Sequence, residues 1–349
     1  MRAAFAILLA WLCLAAPALA EKRLALVIGN NDYQHIAKLK KAVADATAYD
    51  NVLREKGFLV QVGYDLSMED MKLAVADFVE KIQPGDTVVF IYSGHGWSDG
   101  AHNYLVGVDA PGRVNQERLT ALSLPLRNGI DGVLDGFQRK SAGLVAAIID
   151  ACRDDPFQPP PGEKGYALTR GLKPQSVEGS FVIYSASEGQ AAMDGLTEAD
   201  PDPNSVFTRT FLPELRADRP LQDAIKTSQK KTHDLAASAN HDQTPAYYDN
   251  VLGEACLSAA CKTSGAASTE TGTGTKVALV IGNSKYASVG ELPNPANDAD
   301  SIADALTRIG FKVTVKKDVA RQEFGTALKE FSHESSKADT ALFYFSGHG

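Results

Sequence analysis

Two side chains in this sequence have the chemistry of a nucleophile and its base. His95 follows the apolar run Thr87–Tyr92 and stands between Gly94 and Gly96. Cys152 follows the apolar run Leu144–Ile149 and precedes charged, proline-rich sequence. In thiol chemistry on an amide, the thiolate attacks the carbonyl carbon. An imidazole takes the thiol proton and later returns it to the leaving amine, while backbone N–H groups steady the oxyanion. Glycines on both sides of a histidine let main chain approach a bound substrate closely. Each residue alone has a plainer explanation: a lone histidine is as readily structural, and a lone cysteine an inert buried thiol. Placed together at the ends of two buried strands, they become a constellation.

The elements that must position them follow from the apolar pattern. Leu24–Ile28 is a continuous apolar run ending at Gly29, as a buried strand does. Residues 42–56 have helical spacing and stop at Gly57; Phe58–Val62 reads as a strand; Met68–Ile82 as a helix halted by Pro84-Gly85. Strands are predicted at Thr87–Tyr92, Leu144–Ile149 and Ser180–Ser185, with a short hairpin arm at Tyr104–Val108. Helices are predicted at Phe207–Arg216 and Leu221–Ala237, and an edge strand at Pro245–Val251. Alternating strands and helices with apolar strands predict a mostly parallel sheet covered on both faces. Chemistry in such sheets gathers outside the carboxyl ends of the strands, so both polar clusters fall on the expected rim.

The chain repeats itself. Arg23–Gly96 aligns without a gap on Lys276–Gly349, at a constant offset of 253 and with 25 of 74 positions identical. Gly29 meets Gly282, Tyr33 meets Tyr286, Asp45 meets Asp298 and His95 meets His348, which marks an internal duplication. The expected organisation is a leader over 1–20, a first domain over 21–255, a flexible linker over 256–275 and a partial second copy over 276–349 without a counterpart of Cys152. A sheet cut after three strands leaves an open edge. Either further chain, or docking of the second copy on the first, is therefore expected.

The first twenty residues read as a secretory signal: Arg2, then the apolar stretch Ala3–Ala16, then Pro17-Ala18-Leu19-Ala20 as a small-x-small cleavage site. The apolar run is short for a bilayer span, so the mature protein is expected to be periplasmic or secreted, with no membrane segment. Cys13 leaves with the signal, and Cys256 and Cys261 can pair in an oxidising compartment, which leaves Cys152 over. The formal charge of −8, with no basic run, argues against nucleic acid as partner.

Three blocks in order, Leu26-Val-Ile-Gly-Asn30, Tyr92-Ser-Gly-His-Gly96 and Ile149-Asp-Ala-Cys-Arg153, resemble the signature blocks of the caspase/metacaspase superfamily. The His95-to-Cys152 interval of 57 is close to the caspase interval of about fifty residues. Tyr184-Ser-Ala-Ser187, Ala192-Met-Asp-Gly195 and Asn204-Ser-Val-Phe-Thr208 are similar to the small-subunit region of bacterial members. The resemblance implies a caspase-like α/β three-layer sandwich, and a cysteine endopeptidase acting on a protein or peptide substrate. It makes His95 the general base, Cys152 the nucleophile, and the backbone N–H groups of Gly96 and Cys152 the oxyanion hole.

The departures from caspases are informative. Asp150 stands where caspases have Gln. No arginine follows the first strand, where only Lys38, Lys40 and Lys41 supply positive charge, and Asp45 matches an aspartate of metacaspases and their bacterial relatives. Ser93 matches the serine lining the same pocket. Paired carboxylates favour a cationic P1 side chain and repel an aspartate, so cleavage after Arg or Lys is expected. Asp45 also has the plainer reading of an acid near a helix N-terminus.

Family members often cut themselves after the nucleophile strand. Residues 156–174 contain Lys164, Arg170 and Lys173 as candidate sites, Arg170 foremost. Many metacaspases use calcium while bacterial relatives need not. Asp154 and Asp155 are ligands or ordinary loop acids on this reading, and no metal or other cofactor is expected to be required. The rival functions are a non-catalytic interaction module, which the second copy fits, and a small-molecule amide or acyl hydrolase. A redox role is disfavoured because no Cys-x-x-Cys occurs.

Overall fold

The computed structural model describes residues 21–152, 157, 172, 175, 177–258, 260, 261 and 274–349, with Cys152 described by its place in a strand. The leader 1–20, Asp154, Asp155, the candidate cleavage residues Lys164, Arg170 and Lys173, and linker residues 262–273 lie outside the described residues. The chain divides into two compact units, one ending at Gly265 and the other starting at Ala266.

The first unit runs β1 (Arg23–Gly29), α1 (Ala42–Glu55), β2 (Leu59–Tyr64), α2 (Met68–Lys81), β3 (Thr87–Ser98), β4 (Asn103–Leu105), α3 (Gln116–Ala121), β5 (Leu124–Pro125), α4 (Val133–Arg139), β6 (Leu144–Cys152), β7 (Ser180–Tyr184), α5 (Val206–Arg216), α6 (Leu221–Ala237) and β8 (Ala246–Asp249). The sheet order is β2-β1-β3-β6-β7-β8. All neighbours are parallel except β8, which runs antiparallel to β7. The end of β3 also pairs with β4, and β4 with β5, in an antiparallel flap. This is the expected caspase-like α/β arrangement, a mostly parallel sheet between two helical layers.

Strand alternation sorts the two layers. Leu24, Leu26 and Ile28 of β1, with Val88 and Phe90 of β3, face α2 and α4. Ala25, Val27, Val89 and Ile91 face α1, α5 and α6. Gly29 ends β1 against α1, where a Cβ would lie 2.5 Å from the Ala42 carbonyl oxygen, so only glycine lets the helix start this close. Helix α2 begins at Ser67, whose side chain accepts the Asp70 N–H, and helix α5 at Ser205, whose side chain accepts the Thr208 N–H.

Two strands run further than the apolar pattern predicts. The pairing of β3 with β6 continues past Tyr92 and Ile149 through Ser93–Asp150 and Gly94–Ala151 to His95–Cys152. Apolar residues end there, but backbone pairing does not, because register is set by the neighbouring strand rather than by the propensity of glycine. His95 and Cys152 therefore stand on paired strand ends and not on loop tips. Helices α3 and α4 are short and carry no long periodic pattern, so sequence periodicity passes over them.

The second unit runs β9 (Lys276–Gly282), α7 (Pro295–Arg308), β10 (Lys312–Lys317), α8 (Arg321–Ser335) and β11 (Thr340–Ser346). Its strands form a parallel sheet in the order β10-β9-β11. It thus repeats β1 to β3. Cys256 and Cys261 are joined as a disulfide at the end of the first unit. Among the described residues no helix is long and apolar enough to cross a membrane.

Candidate active site

Register brings the two reactive residues together: the Cα of His95 is paired with that of Cys152 across adjacent parallel strands, a spacing of about 5 Å. The imidazole is buried, 5% exposed. Its Nε2 lies 2.7 Å from the Ala37 carbonyl oxygen. A carbonyl only accepts, so Nε2 carries the proton and Nδ1 is the basic nitrogen. The tautomer needed for a general base is thus set by the loop between β1 and α1.

The backbone around His95 is fixed as closely. Its N–H donates to the Tyr33 hydroxyl at 2.7 Å, and its carbonyl accepts from the Tyr92 hydroxyl at 2.7 Å. A Cβ on Gly94 would lie 2.6 Å from the Tyr92 hydroxyl and 2.7 Å from that of Tyr33, which accounts for glycine there. The Ser93 carbonyl accepts from Asn30 N–H on the β1 side. Peptide groups alternate direction along a strand, so the Gly96 N–H faces β6. The Val106 N–H donates to the His95 carbonyl, which makes Gly96 and Leu105 a non-hydrogen-bonded pair and leaves the Gly96 N–H turned away from β4.

Two carboxylates lie on the same face as Ser93. Asp45, in the first turn of α1, is fully buried, and Asp150 of β6 is 6% exposed. Asp45 accepts from the Asn204 amide and the Ser205 N–H, both at 2.9 Å, and from the Ser93 hydroxyl at 3.3 Å. Asp150 accepts from the Ser205 hydroxyl at 2.5 Å and the Thr208 hydroxyl at 3.1 Å. Ser205 therefore binds one acid through its backbone, the other through its side chain, and caps α5 as well. The positive end of that helix faces both acids.

Burial raises the Asp45 carboxyl above its usual range, and the Asp150 charge raises it further, against the Ser205 N–H and the Asn204 amide. Burial raises Asp150 too; the hydroxyls of Ser205, Ser185 and Thr208 oppose the shift, and Asp194 adds to it. Both buried acids therefore hold a proton more tightly than a solvated carboxylate would.

The segment that presents Asn204 and Ser205 is held by ion pairs. Asp200 meets Arg209 at 2.7 Å and Lys41 at 3.2 Å. Arg209, foremost, holds the Asp200 carboxyl well below the usual range. Arg209 also donates to the carbonyls of Asn204, at 2.7 Å, and Ser205, at 3.2 Å. Lys41 is therefore committed to Asp200, and Lys38 to Asp32.

The structure thus gathers Asp45, Ser93, His95 and Asp150, with Gly96 and Cys152 at the same strand ends. Asp45 is not a solvated helix acid: the sheet and the 204–205 segment bury it. Sequence reasoning missed Asn204, Ser205, Thr208 and Asp194 as site residues. Asp194 accepts the Lys40 N–H at 3.1 Å. The signal for Ser205 was a polar residue just before an apolar helix, the pattern of an N-cap; nothing local pointed it at two carboxylates more than fifty residues away. Among the described residues no cluster of His, Cys, Asp and Glu has metal-binding geometry.

The family model described as "Caspase domain" matches residues 22–255 and 275–349. Mucosa-associated lymphoid tissue lymphoma translocation protein 1 of Homo sapiens is 31% identical over 135 residues, 39% of this chain and 15% of that protein. Its Mus musculus homologue matches with the same identity and coverage. The chain thus spans about 15% of the length of these curated relatives. With both copies of the repeat matched, the chain belongs to the caspase-domain family, a family of cysteine peptidases whose substrates are proteins.

Proposed function

We propose that this chain is an exported cysteine endopeptidase that cleaves after Arg or Lys. The observation that carries this reading is the buried pair Asp45 and Asp150, the latter two strand positions before Cys152 on β6 and so on the same face of the strand. A cationic side chain entering that pocket takes the place of the proton held there and pairs with both acids; an aspartate brings a further negative charge and is repelled.

The steps balance without a cofactor. The Cys152 thiol passes its proton to Nδ1 of His95 while sulfur attacks the carbonyl after Arg or Lys. The N–H groups of Gly96 and Cys152 receive the oxyanion. The tetrahedral adduct collapses, the C–N bond breaks, and His95 protonates the departing amine. Water, deprotonated by His95, then cleaves the thioester and restores the thiol. No metal is assigned a role; calcium addition or chelation is expected to leave turnover unchanged.

Export rests on the leader-like first twenty residues and is supported by the Cys256–Cys261 disulfide, a bond of oxidising compartments. Self-processing after Arg170, Lys164 or Lys173 rests on the family resemblance. The test is direct: offer the full chain fluorogenic peptides ending in Arg, Lys or Asp, and repeat with Cys152→Ala. Turnover of Arg and Lys peptides that vanishes in the variant supports the reading. Preference for Asp peptides, or activity surviving in Cys152→Ala, overturns it.

A further inference from the structure

We propose that Tyr33 is a positioning residue for the catalytic base, a role that rests on the assignment of His95 to that base. Tyr33 is 1% exposed and makes two contacts with His95. Its hydroxyl accepts the His95 N–H at 2.7 Å, and its ring packs against the imidazole with centroids 4.5 Å apart. The hydroxyl in turn donates toward the Val106 carbonyl at 3.3 Å. One contact fixes the Cα from which the imidazole hangs, and the other fixes the plane of the ring. With the Nε2 bond to Ala37, they leave the imidazole little freedom to turn Nδ1 away from the end of β6.

The second copy keeps the same contact, so the pairing of tyrosine and histidine is built into the repeat. Tyr286 accepts the His348 N–H at 2.9 Å, and the two rings lie 4.7 Å apart. Phe345 stands there in place of Tyr92, so the second tyrosine hydroxyl is dispensable to the motif while that of Tyr33 is kept. Misplacement of a base by a fraction of an ångström lowers turnover without weakening substrate binding, because the substrate side chain is held elsewhere.

The test compares Tyr33→Phe and Tyr33→Leu in the full chain, using an Arg peptide, at a temperature where melting curves show both folded. Tyr33→Phe removes only the hydroxyl. It is expected to lower kcat about tenfold and leave KM within about twofold. Tyr33→Leu also removes the aromatic face that stabilises an imidazolium, so the limb of the pH profile governed by the imidazole moves to lower pH. A Tyr33→Phe kcat within about twofold of wild type, or a loss confined to KM, overturns the role. A limb that stays in place in Tyr33→Leu overturns the share assigned to the ring. A wild-type chain without Cys152-dependent turnover sinks the peptidase reading itself, and this inference with it; normal turnover in Tyr33→Phe sinks the inference alone.

Discussion

In both copies of the repeat a serine hydroxyl donates to an aspartate of the first helix, Ser93 to Asp45 at 3.3 Å and Ser346 to Asp298 at 3.1 Å. In both, a histidine Nε2 meets a loop carbonyl, at 2.7 Å for Ala37 and 2.8 Å for Gly290. Asp65 and Asp318 share a left-handed backbone, with φ of 50° and 51°, and each accepts two N–H groups from the loop after the first strand. What differs is the surroundings. Asp45 is fully buried, whereas Asp298 is only partly so. Strand β3 is buried throughout, whereas β11 exposes Thr340, Ala341 and Phe343. The repeat by itself therefore builds the half-site of acid, serine and histidine. The second carboxylate, the burial and the nucleophile come from β6, α5 and the segment before α5.

That division makes the two copies each other's controls. The largest contrast is at the reaction centre: Cys152→Ala is expected to lower kcat by at least about 10⁴-fold, while His348→Ala leaves the turnover of Arg peptides unchanged. A loss in His348→Ala would show that the second half-site takes part. Next is charge recognition. Asp150→Asn is expected to lower kcat/KM for Arg peptides about a hundredfold, and Asp298→Asn not at all; equal losses would dissolve the distinction between the copies.

The third contrast is in pH. The raised Asp45 carboxyl must lose its proton before a cation can replace it. KM for Arg peptides should therefore rise as pH falls below its folded value, by up to about tenfold per unit. A KM flat from pH 8 to 5 would contradict a raised Asp45 carboxyl in the pocket. The smallest effect is on stability. The folded state binds the Asp45 proton more tightly than the unfolded chain does, so the contribution of this group to stability is greatest at low pH. It declines as pH climbs from the ordinary carboxylate range through the raised value. Asp45→Asn removes that decline and is expected to add about 1 kcal/mol near neutral pH, read as a higher Tm. Asp298→Asn should leave Tm where it is.

Much of this was legible in the residues. Apolar runs placed β1, β3 and β6, the first ending in Gly29, and His95 and Cys152 stood just past the ends of two of them. The repeat could be aligned by eye. What could not be read was the assembly of the pocket. Ser205 looks like an ordinary helix start, and its binding to Asp45 and Asp150 depends on the folding of three distant segments. The extension of β3 and β6 was hidden for a related reason: Ser93, Gly94 and His95 have poor strand propensity and are extended because a neighbour pairs with them. The partner of Lys41 was hidden too, because Asp200 lies far along the chain.

The bond from Ser205 to Asp45 joins residues 160 positions apart. During synthesis the imidazole and the thiol leave the ribosome well before the residue that finishes the charge sink. Long-range closures of this kind form late. On the proposed reading, an emerging chain therefore acquires its means of attack before its means of selection, and the interval between the two ends only when the start of α5 docks.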